Sequence, residues 1–239
     1  MSYRYFRIEV KPVGRPHTPN REYAGGRAGR YTPTRCQNLW VSNDLRICFV
    51  GDSFVAGMGD PEVLGWSGRL TVDAHAAGVA PTAYNLGVRR QTSTDIAGRW
   101  QAECRQRLPR EAQGRVVFSF GVNDTMQIDG RTRVATATSV VNLRAMLAGT
   151  HVESWPVLMV GPPPVDDAEH NRRTADLDER FGQVCAEHGV PYVSSCHRLA
   201  ADTVWMEQVR AGDGAHPGTA GYTAFAELLL PHWREWLGY

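Results

Sequence analysis

From Leu45 onward, short apolar runs alternate with longer amphipathic stretches, and this alternation constrains the fold more than any other feature of the chain. The runs are 45–50 (LRICFV), 82–86 (TAYNL), 115–120 (RVVFSF), 156–161 (PVLMVG) and 190–194 (VPYVS). Runs of this length without strict polar alternation suit strands buried on both faces. Between them, Ile96, Trp100, Cys104 and Leu108 recur at helical spacing, and Val140, Leu143 and Leu147 mark a second stripe. Each predicts a helix with one buried side. A further helix is predicted over 172–189, closed by Gly189. A last one starts near Thr219 and carries Tyr222, Phe225, Leu229, Trp233 and Trp236 on one side. Strands that alternate with helices give βαβ units, hence a parallel sheet with right-handed crossovers and helices on both faces.

Residues 1–44 do not share this pattern. They are rich in Arg, Gly, Pro and Tyr and lack helical periodicity. "YRYFRIEV" (3–10) reads as an edge strand and "GGRAGR" (25–30) as loop. The segment holds eight of the 26 basic side chains and three of the 25 acidic ones, a net of +5 that leaves −4 for the rest. The expected organisation is therefore a basic N-terminal arm over 1–44 and one α/β domain over 45–239. The net charge of +1 gives no overall pull toward nucleic acid. No apolar run approaches the ~18–20 residues that span a bilayer, and the N-terminus lacks the apolar core of a secretory signal. Five widely spaced cysteines without a C-x-x-C read as free thiols in a cytoplasmic protein. Oligomeric state is not legible.

In an open parallel sheet the functional crevice lies beyond the carboxyl ends of the strands, so the loops after each strand belong together. They are "GDSFVAG" (51–57), "NLGVRRQT" (85–92), "FGVNDT" (120–125) and "DGAHPGTAGY" (213–222). They supply a serine, backbone amides in glycine-containing turns, an asparagine and an Asp/His pair three residues apart. A serine hydroxyl needs a base to become a nucleophile, and an imidazole can act near neutral pH. A carboxylate on its other nitrogen fixes tautomer and orientation. An asparagine amide and backbone N–H groups can hold the oxyanion that forms.

On these residues the chain resembles the SGNH hydrolases, also called the GDSL esterase/lipase family. The resemblance runs from Leu45 to the C-terminus. "GDS" at 51–53 matches the first family block, "GVND" at 121–124 the third and "DGAHP" at 213–217 the last. It implies a three-layer αβα sandwich with a five-stranded parallel sheet, flavodoxin-like in strand order. It implies Ser53 as nucleophile, His216 as base, Asp213 as its orienting partner, and no cofactor or metal. The oxyanion donors would be the Ser53 N–H, the Asn123 amide and one backbone N–H from the second block. In that block, Asn-x-x-x-x-Gly, the glycine position counted from Asn85 is Arg90. Either Arg90 donates its own N–H or the loop is rearranged and Gly87 takes the role. Phe54 stands where the family usually has leucine, a packing change near Ser53.

Arg89 and Arg90 place positive charge at the rim, which suggests a small ester substrate carrying an anion. The plainer reading is an ion pair with Asp95 or Asp124. Asp52 and Asp124 read as loop-fixing residues. "GPPPVDD" (161–167) reads as a stiff loop shaping the cleft. Trp66 and Met58 read as core residues, with the acyl side of the cleft as the alternative. The activity implied is hydrolysis of a carboxylic ester or thioester through an acyl-enzyme. The alternatives are an acyltransferase with the same triad, a non-catalytic binding module on this fold, and a flavodoxin-like FMN protein, for whose phosphate loop "GDSFVAG" is a poor fit.

Overall fold

The structure, a computed structural model, describes residues 44–239. The edge strand expected at 3–10, the loop at 25–30 and the rest of the basic arm lie outside the described residues, apart from Asp44. Strand β1 (Leu45–Gly51) leads into the short helix α1 (Ser53–Ala56) and then α2 (Gly65–Ala76). Next come β2 (Thr82–Gly87), α3 (Ser93–Arg105), β3 (Gln113–Ser119) and the one-turn α4 (Val122–Thr125). A small hairpin follows, β4 (Gln127–Ile128) with β5 (Arg131–Thr132), and then α5 (Thr136–Glu153). The chain continues through β6 (Val157–Val160), α6 (Ala168–Glu187), β7 (Tyr192–Val193), α7 (Cys196–Ala200), α8 (Thr203–Ala211) and α9 (Thr219–Leu237). Strands β1, β2, β3, β6 and β7 form one parallel sheet in the order β2-β1-β3-β6-β7. This is the predicted five-stranded, flavodoxin-like order, with each expected strand present. The hairpin β4–β5 is an addition that the apolar pattern gives no sign of, since its two-residue strands bury little.

Successive side chains of a strand point to opposite faces, and that is why the sheet carries two cores. Ile47 and Phe49 of β1, Val117 of β3 and Leu158 and Val160 of β6 pack on one side with Trp66, Trp205, Tyr222, Phe225 and Trp233. Cys48, Val50, Val116, Phe118 and Met159 pack on the other with Ile96, Trp100, Leu143, Leu177 and Phe181. The predicted stripes supply these faces: α3 and α5 cover one side and α9 the other. Trp66 is fully buried between Phe49 and Phe225, with ring centroids at 5.6 Å from each. It therefore belongs to the core. Helix α6 starts four residues before the predicted position because Asp167 caps it, accepting from the His170 N–H at 2.9 Å.

The strands end together. Gly51 pairs in register with Gly87 on one side and Ser119 on the other. There is no room for a side chain at that point: a Cβ on Gly51 would lie 2.0 Å from the Ser119 carbonyl oxygen and 2.5 Å from a methyl of Val55. Replacing Gly51 by alanine therefore has to push β3 or α1 away. We expect Gly51→Ala to lower unfolding free energy by roughly 1–3 kcal/mol, the usual cost of overpacking. Urea denaturation with an unchanged m-value checks this.

Candidate active site

At the carboxyl end of β1 the chain turns sharply into α1. Asp52 is the cap residue, its side chain accepting from the Phe54 N–H at 3.0 Å. Ser53 is the first residue of the helix, so its N–H is one of the donors a helix cannot satisfy internally. The opposite side of the site comes from the segment before α9. There Asp213 Oδ1 accepts from the N–H groups of Ala215 and His216 at 3.0 and 2.8 Å, which folds residues 213–216 into a tight turn with Gly214 at φ +80°. The turn brings His216 Nδ1 to 2.8 Å from Asp213 Oδ2, and His216 Nε2 to 2.7 Å from Ser53 Oγ. Burial pushes the Asp213 carboxyl up, but the hydrogen bonds from His216 and Ala215 outweigh it and bring the group down to about 2. Asp213 is thus an acceptor at neutral pH, and Nδ1 carries a proton toward it. The Phe54 ring lies 4.8 Å from the imidazole and also stacks on Trp205 at 6.2 Å, so the leucine-to-phenylalanine change gives His216 an aromatic wall.

The second block packs beside the turn that carries Ser53, with the Val88 N–H donating to the Gly51 carbonyl at 3.0 Å. Asn85 ties the end of β2 to α1 and α2, donating to the Val55 carbonyl at 2.6 Å and Ser67 Oγ at 3.1 Å. Its Oδ1 accepts the Gly87 N–H at 3.0 Å, so that N–H is already engaged. Residues 88–91 form a turn closed by Gln91 N–H to the Val88 carbonyl at 3.4 Å. Within it Arg90 has φ +66°. That is left-handed backbone that favours glycine and costs a residue with a Cβ roughly 1–2 kcal/mol. The chain keeps the conformation of the expected glycine while carrying arginine there. Arg99 holds this turn from below, donating to Gln91 Oε1 at 2.5 Å and to the carbonyls of Gly51 and Leu86 at 3.0 and 2.9 Å.

Neither Arg89 nor Arg90 makes an ion pair among the described residues. The acids considered as partners are taken elsewhere. Asp95 forms the capping box of α3 with Thr92. Buried Asp124 accepts from Ser93 N–H at 2.7 Å and Ser139 Oγ at 2.6 Å, linking α4 to α3 and α5. Asn123 completes the ring of loops, its amide donating to Asp52 Oδ2 at 3.3 Å and its Oδ1 accepting from Arg133 at 3.3 Å.

Residues of the first, third and last of these loops, with the proline loop and His170, line a cleft of about 230 Å³ walled by Phe54, Val122, Met126, Val165 and His170. Val165 comes from the proline loop, which does shape the cleft. Met58 and Trp66 do not line it. His170 donates from Nε2 to the Val122 carbonyl at 2.9 Å, and burial holds its imidazole below the ordinary value. A larger hollow of about 900 Å³ at the amino ends of β3 and β6 contains no histidine. Met126, His170, Arg99 and Arg133 were not legible as site residues, because none sits in a family block or a periodic pattern.

A profile of the GDSL-like Lipase/Acylhydrolase family matches residues 49–224. The chain belongs to this family and is a hydrolase acting on ester bonds. Solved structures share its fold. A lipase/acylhydrolase from Enterococcus faecalis is 24% identical with a TM-score of 0.64, over 80% of this chain and 96% of that one. The acetylxylan esterase Axe2 from Geobacillus stearothermophilus is 17% identical with a TM-score of 0.64, over 83% and 96%. The esterase EstA from a Pseudoalteromonas species is 18% identical with a TM-score of 0.64, over 82% and 100%. No curated protein matches the sequence.

Burial raises the Asp52 carboxyl from 3.8 to about 7, although the Phe54 N–H bond opposes this and nearby Asp124 adds to it. Between these values the unfolded chain has released the proton and the folded one still holds it. Stability from this group is therefore complete below about pH 4 and declines as pH rises toward 7. Wild type should lose stability relative to Asp52→Asn as pH rises through that window, and the difference should be constant above it. Urea unfolding of both proteins at several pH values measures this.

Proposed function

We propose that Ser53 is the nucleophile of a serine esterase, with His216 as general base and Asp213 as the group that orients and charge-balances it. One observation carries this reading: the 2.7 Å contact from Ser53 Oγ to His216 Nε2, continued at 2.8 Å from Nδ1 to Asp213. His216 takes the hydroxyl proton as Oγ attacks the ester carbonyl. The carbonyl oxygen becomes an oxyanion, held by the Ser53 N–H, the Arg90 N–H and the Asn123 amide. Gly87 is the weaker alternative to Arg90, because its N–H already serves Asn85. The intermediate collapses as His216 protonates the departing alcohol or thiol, leaving the acyl group on Ser53. Water then gives its proton to His216, attacks the acyl-enzyme and releases the acid. These steps draw on no cofactor.

The substrate we infer is a small-molecule ester or thioester carrying an anionic group. Support comes from Arg89 and Arg90, which lack ion-pair partners among the described residues and sit in the turn that Val88 ties to the Gly51 carbonyl, next to Ser53. Arg90→Gly removes the guanidinium and keeps a backbone suited to positive φ. It should raise KM for a p-nitrophenyl ester of a dicarboxylic acid several-fold more than KM for the uncharged ester of matching length. Equal KM values for the two would remove the anion from the proposal.

The central test is hydrolysis of p-nitrophenyl esters, acetate through long-chain, by wild type and Ser53→Ala. The variant should lose at least roughly 10⁴-fold in kcat. His216→Ala should lose a comparable factor in kcat, and an unchanged kcat would remove His216 as base. Added alcohols that divert product to new esters would mark an acyltransferase instead.

A further inference from the structure

Asn123 can stabilise an oxyanion only if the NH₂ end of its amide, and not the oxygen, faces Ser53. The two ends have nearly the same shape, so their neighbours must decide the orientation. Here the decision comes from both sides. Asp52 Oδ2 accepts one Asn123 N–H at 3.3 Å, and the Arg133 guanidinium donates to Asn123 Oδ1 at 3.3 Å. A guanidinium has five donors and no acceptor, so it tolerates only the oxygen on its side. One N–H is spent on Asp52, and the amide's second N–H is left for a ligand.

Arg133 reaches this place through the insertion that the apolar pattern did not foretell. The hairpin β4–β5 sends the chain out after α4 and returns it so that Arg133 N–H donates to the Met126 carbonyl at 2.9 Å and Val134 N–H to the Asp124 carbonyl at 3.1 Å. Those bonds lock the base of the Arg133 side chain to the loop that carries Asn123. Arg133 is half-buried and makes no ion pair among the described residues. Its charge acts at longer range on the carboxyls of Asp95 and Asp124, each already hydrogen-bonded to its own donors. The direct partner of the guanidinium is Asn123.

We propose that Arg133 is a positioning residue: it fixes and polarises the Asn123 amide so that its N–H is aimed at the oxyanion. The proposal rests on the oxyanion assignment of Asn123. A cation hydrogen-bonded to the amide oxygen draws electron density from the nitrogen and strengthens the opposite N–H as a donor. It also adds positive potential behind the place where negative charge develops.

A double-mutant cycle tests this, on the shortest p-nitrophenyl ester that the wild type hydrolyses. The variants are Arg133→Met, Arg133→Lys, Asn123→Ala and the double variant Arg133→Met/Asn123→Ala, each with its melting temperature. Asn123→Ala should lower kcat by about 10²–10³-fold. Arg133→Met should lower kcat on the order of 10-fold, with KM within about 2-fold, and Arg133→Lys should recover part of the loss. In the Asn123→Ala background, Arg133→Met should change kcat by less than about 2-fold, because the residue it acts through is gone. Multiplicative losses would overturn the proposal, since Arg133 would then act without Asn123. So would a loss confined to KM, which would make Arg133 a substrate contact, or a lowered melting temperature with kcat intact, which would make it only a countercharge for Asp95 and Asp124. If Asn123→Ala itself leaves kcat unchanged, the oxyanion assignment falls, and the Arg133 proposal falls with it.

Discussion

The carbonyl of Gly51 is the joint on which the site depends. It accepts from the Val88 N–H at 3.0 Å and from Arg99 at 3.0 Å, while its Cα sits too close to β3 for any side chain. One peptide thus ends β1, anchors the turn that carries Arg90, and starts the turn that lifts Ser53. These three functions sit together because β1 is the strand from which the chain order runs both ways, with β2 on one side and β3 on the other. Loops from neighbouring strands must then diverge, and the crevice between them is where a ligand can enter.

Around that joint the donors and acceptors are arranged in a nearly closed network. Asp52 caps α1 and holds Asn123; Asp124 ties α4 to α3 and α5; Asp213 builds the turn that carries His216. Three carboxyls near one cleft are costly to ionise together, and the chain treats them differently. Asp213 gathers two N–H groups and an imidazole and remains an acceptor, whereas buried Asp52 is pushed up to about 7. The physical result is a set of loops held in place by their own hydrogen bonds.

The chain's two departures from its family are local and of different kinds. Phe54 exchanges an aliphatic for an aromatic neighbour of His216 and extends the packing to Trp205. Arg90 keeps the left-handed backbone at φ +66° and accepts the strain of a side chain there. Both changes leave the backbone around Ser53 in place. Esterases less than 25% identical share the fold, so the sheet tolerates wide sequence change.

The sequence by itself determined the sheet, because apolar runs at strand length and stripes at helical spacing are local patterns. It also placed Ser53, Asn123, Asp213 and His216 on loops at one end, because strand order and chain direction require it. What only the tertiary structure decided is how those loops meet. The Ser53–His216 contact joins residues 163 positions apart. Arg99, His170 and Arg133 reach the site across 48, 48 and 10 positions respectively. The engagement of the Gly87 N–H by Asn85 is likewise visible only in the folded chain. Such pairings depend on the orientation of side chains from separate elements, and no periodicity encodes an orientation. A buried polar group takes whichever partner the packed chain brings within reach, and that partner exists only once the sheet has closed its two cores.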